Sequence, residues 1–359
     1  MICLYLFTGI LMPSKHYLTL NYQQLSGNVY IIGDVHGQFE SFDMILSQLH
    51  ANDTLIIVGD LIDRGEQEPD SLTSSFILDK ILESSIPGST LPKIFSVAGN
   101  HEIDFLKIIN LLSTPAPLDT DSYDRLLRFI KNGGAWIFKH ETDEEQTRVR
   151  LFRQYAFSSG DTQQKLRLEC LRNLIFLFKT HSHYLDALLP NIMDYKRYIS
   201  GLPYIIKLED EANLKSAWIA HAELPFKDEA IDKMIRTDQD LSLAQIMHIT
   251  RARPKYFSSA RQPCSRVVYC GHNIIHEPGR TADYPVLPVR AASNHINLDG
   301  GAYFTYGFIM VNHTQGTVDI VGRVRPAFVP MLTYAKNEIE DHLLKIQDEH
   351  HDTKRRRLF

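Results

Sequence analysis

Cysteine is scarce: residues 3, 170, 264 and 270 are the only four in 359. They are too few and too scattered for a disulfide framework, and Cys264 and Cys270 lack zinc-ribbon spacing. Both read as packing residues in a reducing compartment. Excess positive charge is also missing. Thirty-eight Lys and Arg stand against 43 Asp and Glu, for a net charge of −5 and a pI near 6.3. Nucleic acid is therefore not the expected partner, because phosphate backbones call for a basic stripe. No apolar run reaches membrane length. Ile2–Met12 is short, has no basic residue before it and shows no small-residue cleavage site, which argues against a signal peptide. It reads as an edge strand, or as a leader to an alternative start at Met12. A solenoid repeat is absent too. What remains is an ordinary composition, 44% hydrophobic and 23% charged, for a soluble cytoplasmic protein with one large domain or a domain plus an insert.

One device is present five times. Val29–Gly37 (Val-Tyr-Ile-Ile-Gly-Asp-Val-His-Gly) carries an apolar β-type run into a glycine, followed by Asp34 and His36. Thr54–Asp60 ends on Asp60, and Lys93–His101 ends on Asn100 and His101. Ser216–His221 ends on His221, and Arg266–His272 on His272. In a parallel sheet buried on both faces, side chains at the carboxyl ends of the strands surround a crevice. Each run therefore delivers an oxygen or imidazole ligand to one region. The set contains no thiolate and suits two divalent first-row cations: manganese first, with iron or zinc as alternatives. Two metals about 3.5–4 Å apart acidify a shared water and clamp a phosphate. Any one of these residues alone would read as a buried histidine or a turn aspartate, but the joint pattern does not.

Periodicity supplies the frame. Gln38–His50 has Phe39, Phe42, Ile45, Leu46 and Leu49 at helical spacing, which predicts a crossover helix between the first two strands. Glu66–Ser71 reads as a polar loop and Leu72–Ser84 as the next helix, ended by Ile86-Pro87-Gly88. From Ile103 to about Ser200 the period is helical, broken at Thr114–Pro117 and Asn132-Gly133-Gly134, with Leu166–Phe178 expected to pack onto the body. We expect a helical insert or cap over 105–200 within a catalytic domain of residues 13–335. Strands return at Tyr204–Leu208, Ser216–His221, Arg266–Gly271, His295–Asp299, Tyr303–Asn312 and Val318–Val321, with short turns that suggest antiparallel pairing. Tyr17–Leu25 is a mixed lead-in. Residues 336–359 form a charged C-terminal piece, comprising most of a helix over Met331–Glu349 and a solvated basic tail at Lys354–Arg357.

Gly33-Asp34-Val35-His36-Gly37, Gly59-Asp60-Leu61-Ile62-Asp63-Arg64-Gly65 and Gly99-Asn100-His101-Glu102 resemble the three signature blocks of the PPP-family phosphoprotein phosphatases. That family belongs to the calcineurin-like metallophosphoesterases. Ser216–Ala222 and Gly271-His272 resemble the later histidine blocks, and Leu202-Pro203-Tyr204 and Asn297–Gly300 resemble family framework. The resemblance runs from about Val29 to Val321 and is closer to the bacterial branch, of which a phosphatase delivered into a host cell is one version. It implies an α/β sandwich of two mixed β-sheets flanked by helices. It also implies roles for individual residues. Asp34, His36 and Asp60 would hold one metal, and Asp60 would bridge to a second held by Asn100, His221 and His272. His101, oriented by Asp63, would protonate the leaving oxygen, which an alkoxide needs at neutral pH. Arg64 would clamp phosphate oxygens, a task for a planar, always charged fork. Arg251, in preference to Arg253, would be the second arginine.

The implied activity is hydrolysis of phosphoserine and phosphothreonine on a protein substrate, with phosphotyrosine open, by in-line attack of metal-activated water. Two alternatives remain. A dinucleoside polyphosphate hydrolase typically lacks Asp before the clamp arginine and ends its third block in Asp, whereas here Asp63 and Glu102 stand at those places. A scaffolding pseudophosphatase would have lost a ligand, and all six are present. A superfamily nuclease is disfavoured by acidity and by the spacing after Gly271. Three departures bear on substrate access: Glu66-Gln67-Glu68 after the clamp arginine, Glu223 in place of a usual glycine, and the long helical segment. His276 and His295 read as surface or structural residues. Neither the insert nor the last helix decides an oligomeric state.

Overall fold

Alternation of buried faces organises the chain. Val29 and Ile31 point one way and Ile32 the other; Ile56 opposes Leu55 and Ile57; Ala217 and Ile219 oppose Trp218 and Ala220. Strands apolar on both faces must be covered on both. Residues 16–65, 73–181, 183–210, 215–253, 264, 266–275, 286–291 and 294–357 are described by the computed structural model. The N-terminal apolar segment, the loop Glu66–Ser71 and His276 lie outside the described residues.

Among the described residues the first elements are β1 (Tyr17–Asn21), β2 (Val29–Ile32), α1 (Phe39–Gln48), β3 (Thr54–Ile57), α2 (Thr73–Ser84) and β4 (Lys93–Ser96). Five helices follow: α3 (Asn100–Ser113), α4 (Thr120–Lys131), α5 (Asp143–Phe157), α6 (Gly160–Thr180) and α7 (Ile192–Ser200). Next come β5 (Ile205–Glu209), β6 (Ala217–Ala220), α8 (Asp228–Arg236), α9 (Leu243–Arg251), β7 (Val267–Cys270), β8 (Val289–Arg290) and β9 (His295–Asn297). The last elements are α10 (Ala302–Thr305), β10 (Gly307–Asn312), β11 (Thr317–Gly322) and α11 (Val329–Arg357). They build two mixed sheets, β11-β10-β2-β3-β4 and β1-β5-β6-β7-β9-β8. Strands β2, β3 and β4 are parallel, as are β6, β7 and β9. One apolar core contains Val29, Ile31, Ile56, Ile206, Ile219 and Tyr269 from both sheets and is closed by Met331, Leu332, Ala335, Ile339 and Leu343 of α11. A second joins the opposite strand faces to α1–α7. Burying each such aliphatic side chain is worth about 1.5–3 kcal/mol.

The predicted antiparallel pairing holds for β5–β6 and β10–β11, but β6–β7 and β7–β9 are parallel. The reason is that α8 and α9, which periodicity did not single out, lie between β6 and β7 and allow a crossover. The predicted strand Tyr303–Asn312 divides into α10 and β10, because Gly301 (φ +68°) and Tyr306 (φ +59°) turn the chain at both ends of the short helix. The lead-in contains edge strand β1, whose partner is distant: Tyr17 aligns with Ile205. Cys170, Cys264 and Cys270 are buried free thiols. No described helix is long and apolar enough to cross a membrane.

The helical stretch is fixed close to the strand ends. Lys131 Nζ donates to the carbonyls of Tyr155 (3.4 Å), Ala156 (2.7 Å) and Ser158 (2.7 Å), fastening the end of α5 to that of α4. Gly133, at φ +102°, lies against Arg64: a Cβ there would stand 2.1 Å from the Arg64 nitrogen. Gly133→Ala combines an unfavourable φ with a backbone clash. It should cost about 1–3 kcal/mol in urea unfolding, and an unchanged midpoint would show that this junction is soft.

Candidate metal centre

The residues after β2, β3, β4, β6 and β7 converge, as expected for carboxyl ends of parallel strands. Getting there requires unusual backbone. Among the described residues, eight non-glycine residues have positive φ, and His36 (47°), Asp60 (48°), Asp63 (68°), Arg64 (59°) and His272 (67°) are five of them. Such conformations persist only when the surroundings over-determine them, and they concentrate at functional sites. Close packing contributes here: a Cβ on Gly271 would lie 2.0 Å from Asp34 Oδ1.

Asp60 is the hub. Its Oδ2 lies 3.3 Å from His221 Nε2, 3.6 Å from His36 Nε2 and 3.9 Å from His101 Nε2, while Oδ1 accepts the His101 backbone N–H at 3.0 Å. Asp34 Oδ2 is 3.8 Å from His36 Nε2, and both Asp34 oxygens accept the His272 N–H at 3.1 Å. Two sets of donor atoms, each within 4.8 Å, share Asp60: His36, Asp60 and His101; and Asp60, His221 and His272. The first set includes His101, which the sequence reading gave to proton transfer, and not Asp34.

The arrangement fits cations. Ligand atoms each about 2.1 Å from one ion stand roughly 3–3.5 Å apart, close to the separations around Asp60. His36 Nδ1 faces the Ile62 carbonyl at 3.4 Å and His221 Nδ1 the Val58 carbonyl at 2.9 Å. Spending the Nδ1 hydrogen there turns a bare Nε2 toward the carboxylates. At His221 that nitrogen meets Asn100 Oδ1 at 3.2 Å and Asp60 Oδ2 at 3.3 Å, so three acceptors converge. His272 Nε2 is buried without a hydrogen-bond partner. Electrostatics says the same. The converging acceptors draw in positive charge even as a proton: burial opposes protonation of His221, yet Asp60 and Asp34 raise its pKa to about 10. Burial, then the charges of His221 and Arg253, take His272 down to about 2, leaving it a neutral donor.

His101 and Asp63 form a separate pair, His101 Nδ1 lying 2.7 Å from Asp63 Oδ2. Trp136 Nε1 donates to Asp63 Oδ1 at 2.7 Å, a contact sequence reasoning missed; the scarcity of tryptophan (two in the chain) was the available signal. Arg64 lies over the Tyr303 ring, 4.5 Å from its centroid. Arg251 donates to the Asn100 carbonyl (3.3 Å) and pairs with Asp104 (2.6 Å); Arg253 donates to the His272 carbonyl (3.2 Å). Both arginines thus border the centre. Glu223 is buried and accepts from His248 (3.3 Å) and Arg290 (3.4 Å). His295, buried in β9, lines a small cavity with Ala222, Gly271 and Asn273 behind the centre.

Glu102 was expected only as a family marker. It is fully buried: Oε2 accepts from Gly99 N (2.8 Å) and Asp60 N (2.9 Å), and Oε1 from Leu61 N (2.8 Å). It ties the loop after β3 to the loop after β4 and so sets Asp60. Glu102→Gln turns an NH2 against an N–H donor in either amide orientation. We expect a loss of about 1–3 kcal/mol in chemical unfolding and weaker metal binding by titration; full metal affinity would contradict the positioning role.

The sequence profile of the calcineurin-like phosphoesterases matches residues 27–239. The chain belongs to that family. The chain is 29% identical over 143 residues to serine/threonine-protein phosphatase 2 of Escherichia coli (strain K12), covering 39% of this chain and 53% of the relative. It is 38% identical over 80 residues to the symmetrical bis(5'-nucleosyl)-tetraphosphatase of Wigglesworthia glossinidia brevipalpis, covering 21% and 25%. With the enzyme of that name from Sodalis glossinidius (strain morsitans) it shares 26% over 190 residues, covering 49% and 60%. The matches thus span between a quarter and three-fifths of these relatives' lengths.

Proposed function

We propose that this phosphoesterase hydrolyses a phosphate ester or anhydride at a two-metal centre. Asp34, His36 and Asp60 would hold one cation, and Asp60, Asn100, His221 and His272 the other; manganese is the first to test. The carrying observation is the Asp60 carboxylate shared by two donor sets. When bound, two such cations supply an acidified water and a positive seat for phosphate oxygens. Arg64 adds a planar fork to that seat, with Arg251 beside it. Asp63 holds the His101 ring so that Nε2 faces the centre and passes its proton to the leaving oxygen.

Two substrate classes compete, and different observations favour them. The His101–Asp63 pair, with Asp63 also held by Trp136, favours phosphomonoesters such as phosphoserine or phosphothreonine on a protein, whose alkoxide needs an acid. Two of the three relatives carry the tetraphosphatase name, which favours dinucleoside polyphosphates, whose leaving phosphate needs no such help. The comparisons lean to the second reading. Hydrolysis of matched phosphopeptides and diadenosine tetraphosphate, with manganese and then with chelator, decides between them. Metal-dependent release from peptides supports the phosphatase; cleavage of the dinucleotide alone establishes the tetraphosphatase. No metal-dependent cleavage of either would defeat both.

A further inference from the structure

We propose that Tyr303 is the positioning residue that holds the Arg64 guanidinium beside the metal centre. The inference rests on the reading of Arg64 and the centre given above. Tyr303 lies in α10, outside every motif that located the site. Its ring contacts two site residues at once: the Arg64 guanidinium carbon stands 4.5 Å from the ring centroid, and the His36 ring meets it edge-on, 5.6 Å away at 88°. Phe304 packs edge-on to it at 5.0 Å and meets Phe328 in turn, so the ring is braced from behind.

Arg64 needs such a support. Among the described residues its guanidinium makes no ion pair and no side-chain hydrogen bond. Its backbone is fixed, at φ +59° after Asp63 at +68°, with Gly133 packed against its nitrogen. The side chain beyond is a long, flexible stem with two places to go. One is over the Tyr303 ring, a single ring's width from His36. The other is a solvent-open groove that Arg64 lines together with Thr73, Trp136, Arg153 and Phe157. The electron-rich ring face attracts the cation and selects the first position. An arginine already ordered there loses less rotamer freedom when an oxyanion arrives, so binding is tighter without any new contact to the ligand.

The test is calorimetric titration of inorganic phosphate into the manganese-loaded protein, with metal content measured for every variant. Tyr303→Phe keeps a ring face and should bind phosphate as the parent does. Tyr303→Leu and Tyr303→Met keep bulk without a ring and should weaken phosphate about tenfold. In an Arg64→Ala background the same two substitutions should cause no further loss, since the interaction is already gone. Three results would overturn the proposal: Leu and Met variants that bind phosphate like the parent, an equal loss without Arg64, or variants that bind fewer metals. The last would assign the ring to supporting His36 alone. Failure of the parent to bind phosphate would reject the underlying reading of the centre, and the proposal with it.

Discussion

Asp60→Asn should lower metal-dependent hydrolysis about 10²–10³-fold, the scale set by losing a key electrostatic group at a reacting centre. The change keeps shape and removes charge. Burial by itself would raise the Asp60 pKa, but His221 and His101 hold it well below the ordinary carboxylate range, so this is the negative charge around which the imidazoles gather. Its Oδ2 lies within 3.3–3.9 Å of the Nε2 atoms of His221, His36 and His101. A neutral amide cannot bridge two cations and places an NH2 among acceptors or donors that do not want it. Metal content should fall from two, and the rise in melting temperature that manganese gives the parent should shrink, because a ligand of the folded state stabilises by mass action. A variant that retained two metals and near-parental activity would show that Asp60 is a structural acid and that the centre lies elsewhere.

His101→Ala should separate leaving groups. On an alkyl phosphate the loss should be about 10²–10⁴-fold, the usual contribution of a positioned acid; on an aryl phosphate, whose leaving oxygen needs little help, it should be much smaller. Metal content should stay at two. That arm matters because His101 also falls within a candidate ligand set. If it were a ligand, one metal would be lost and both substrates would suffer alike. Asp63→Asn gives the complementary pH test. Burial lowers the pKa of His101, but Asp60 and Asp63 outweigh it and raise the value above the ordinary one. The protonated ring, the active form, therefore persists to higher pH. Taking away the carboxylate 2.7 Å from Nδ1 should move the alkaline limb of kcat/KM on alkyl phosphates to lower pH. A limb that stayed in place would detach Asp63 from the proton transfer.

Both predictions involve residues readable in the sequence, and the reason is physical. A strand buried on two faces has to be an unbroken apolar run, so its end is visible, and a ligand placed at that end is visible with it. The structure brings Asp34, His36, Asp60, Asn100, His221 and His272, each placed at the end of such a run, into one region. Sequence reading failed where support arrives from far along the chain. Trp136 reaches Asp63 from the helical stretch, Tyr303 reaches Arg64 from after β9, and β1 finds β5 across most of the N-terminal half. None of these has a local periodicity that points to its partner. The parallel pairing of β6 with β7 was missed for a related reason: α8 and α9 were not identified, and without them a short-turn, antiparallel reading was the economical one.

The sequence by itself determined which apolar runs end at the centre, the O/N character of the side chains they deliver and the family-like blocks that carry them. These are local properties, set by which side chains follow which apolar runs. Only the tertiary structure decided that His101 falls in one of the two donor sets sharing Asp60, that Glu102 bonds three backbone nitrogens from two loops, and that Arg64 rests on Tyr303. Those depend on how two sheets and the helices packed on them bring distant loops together, and only the packed core fixes that distance.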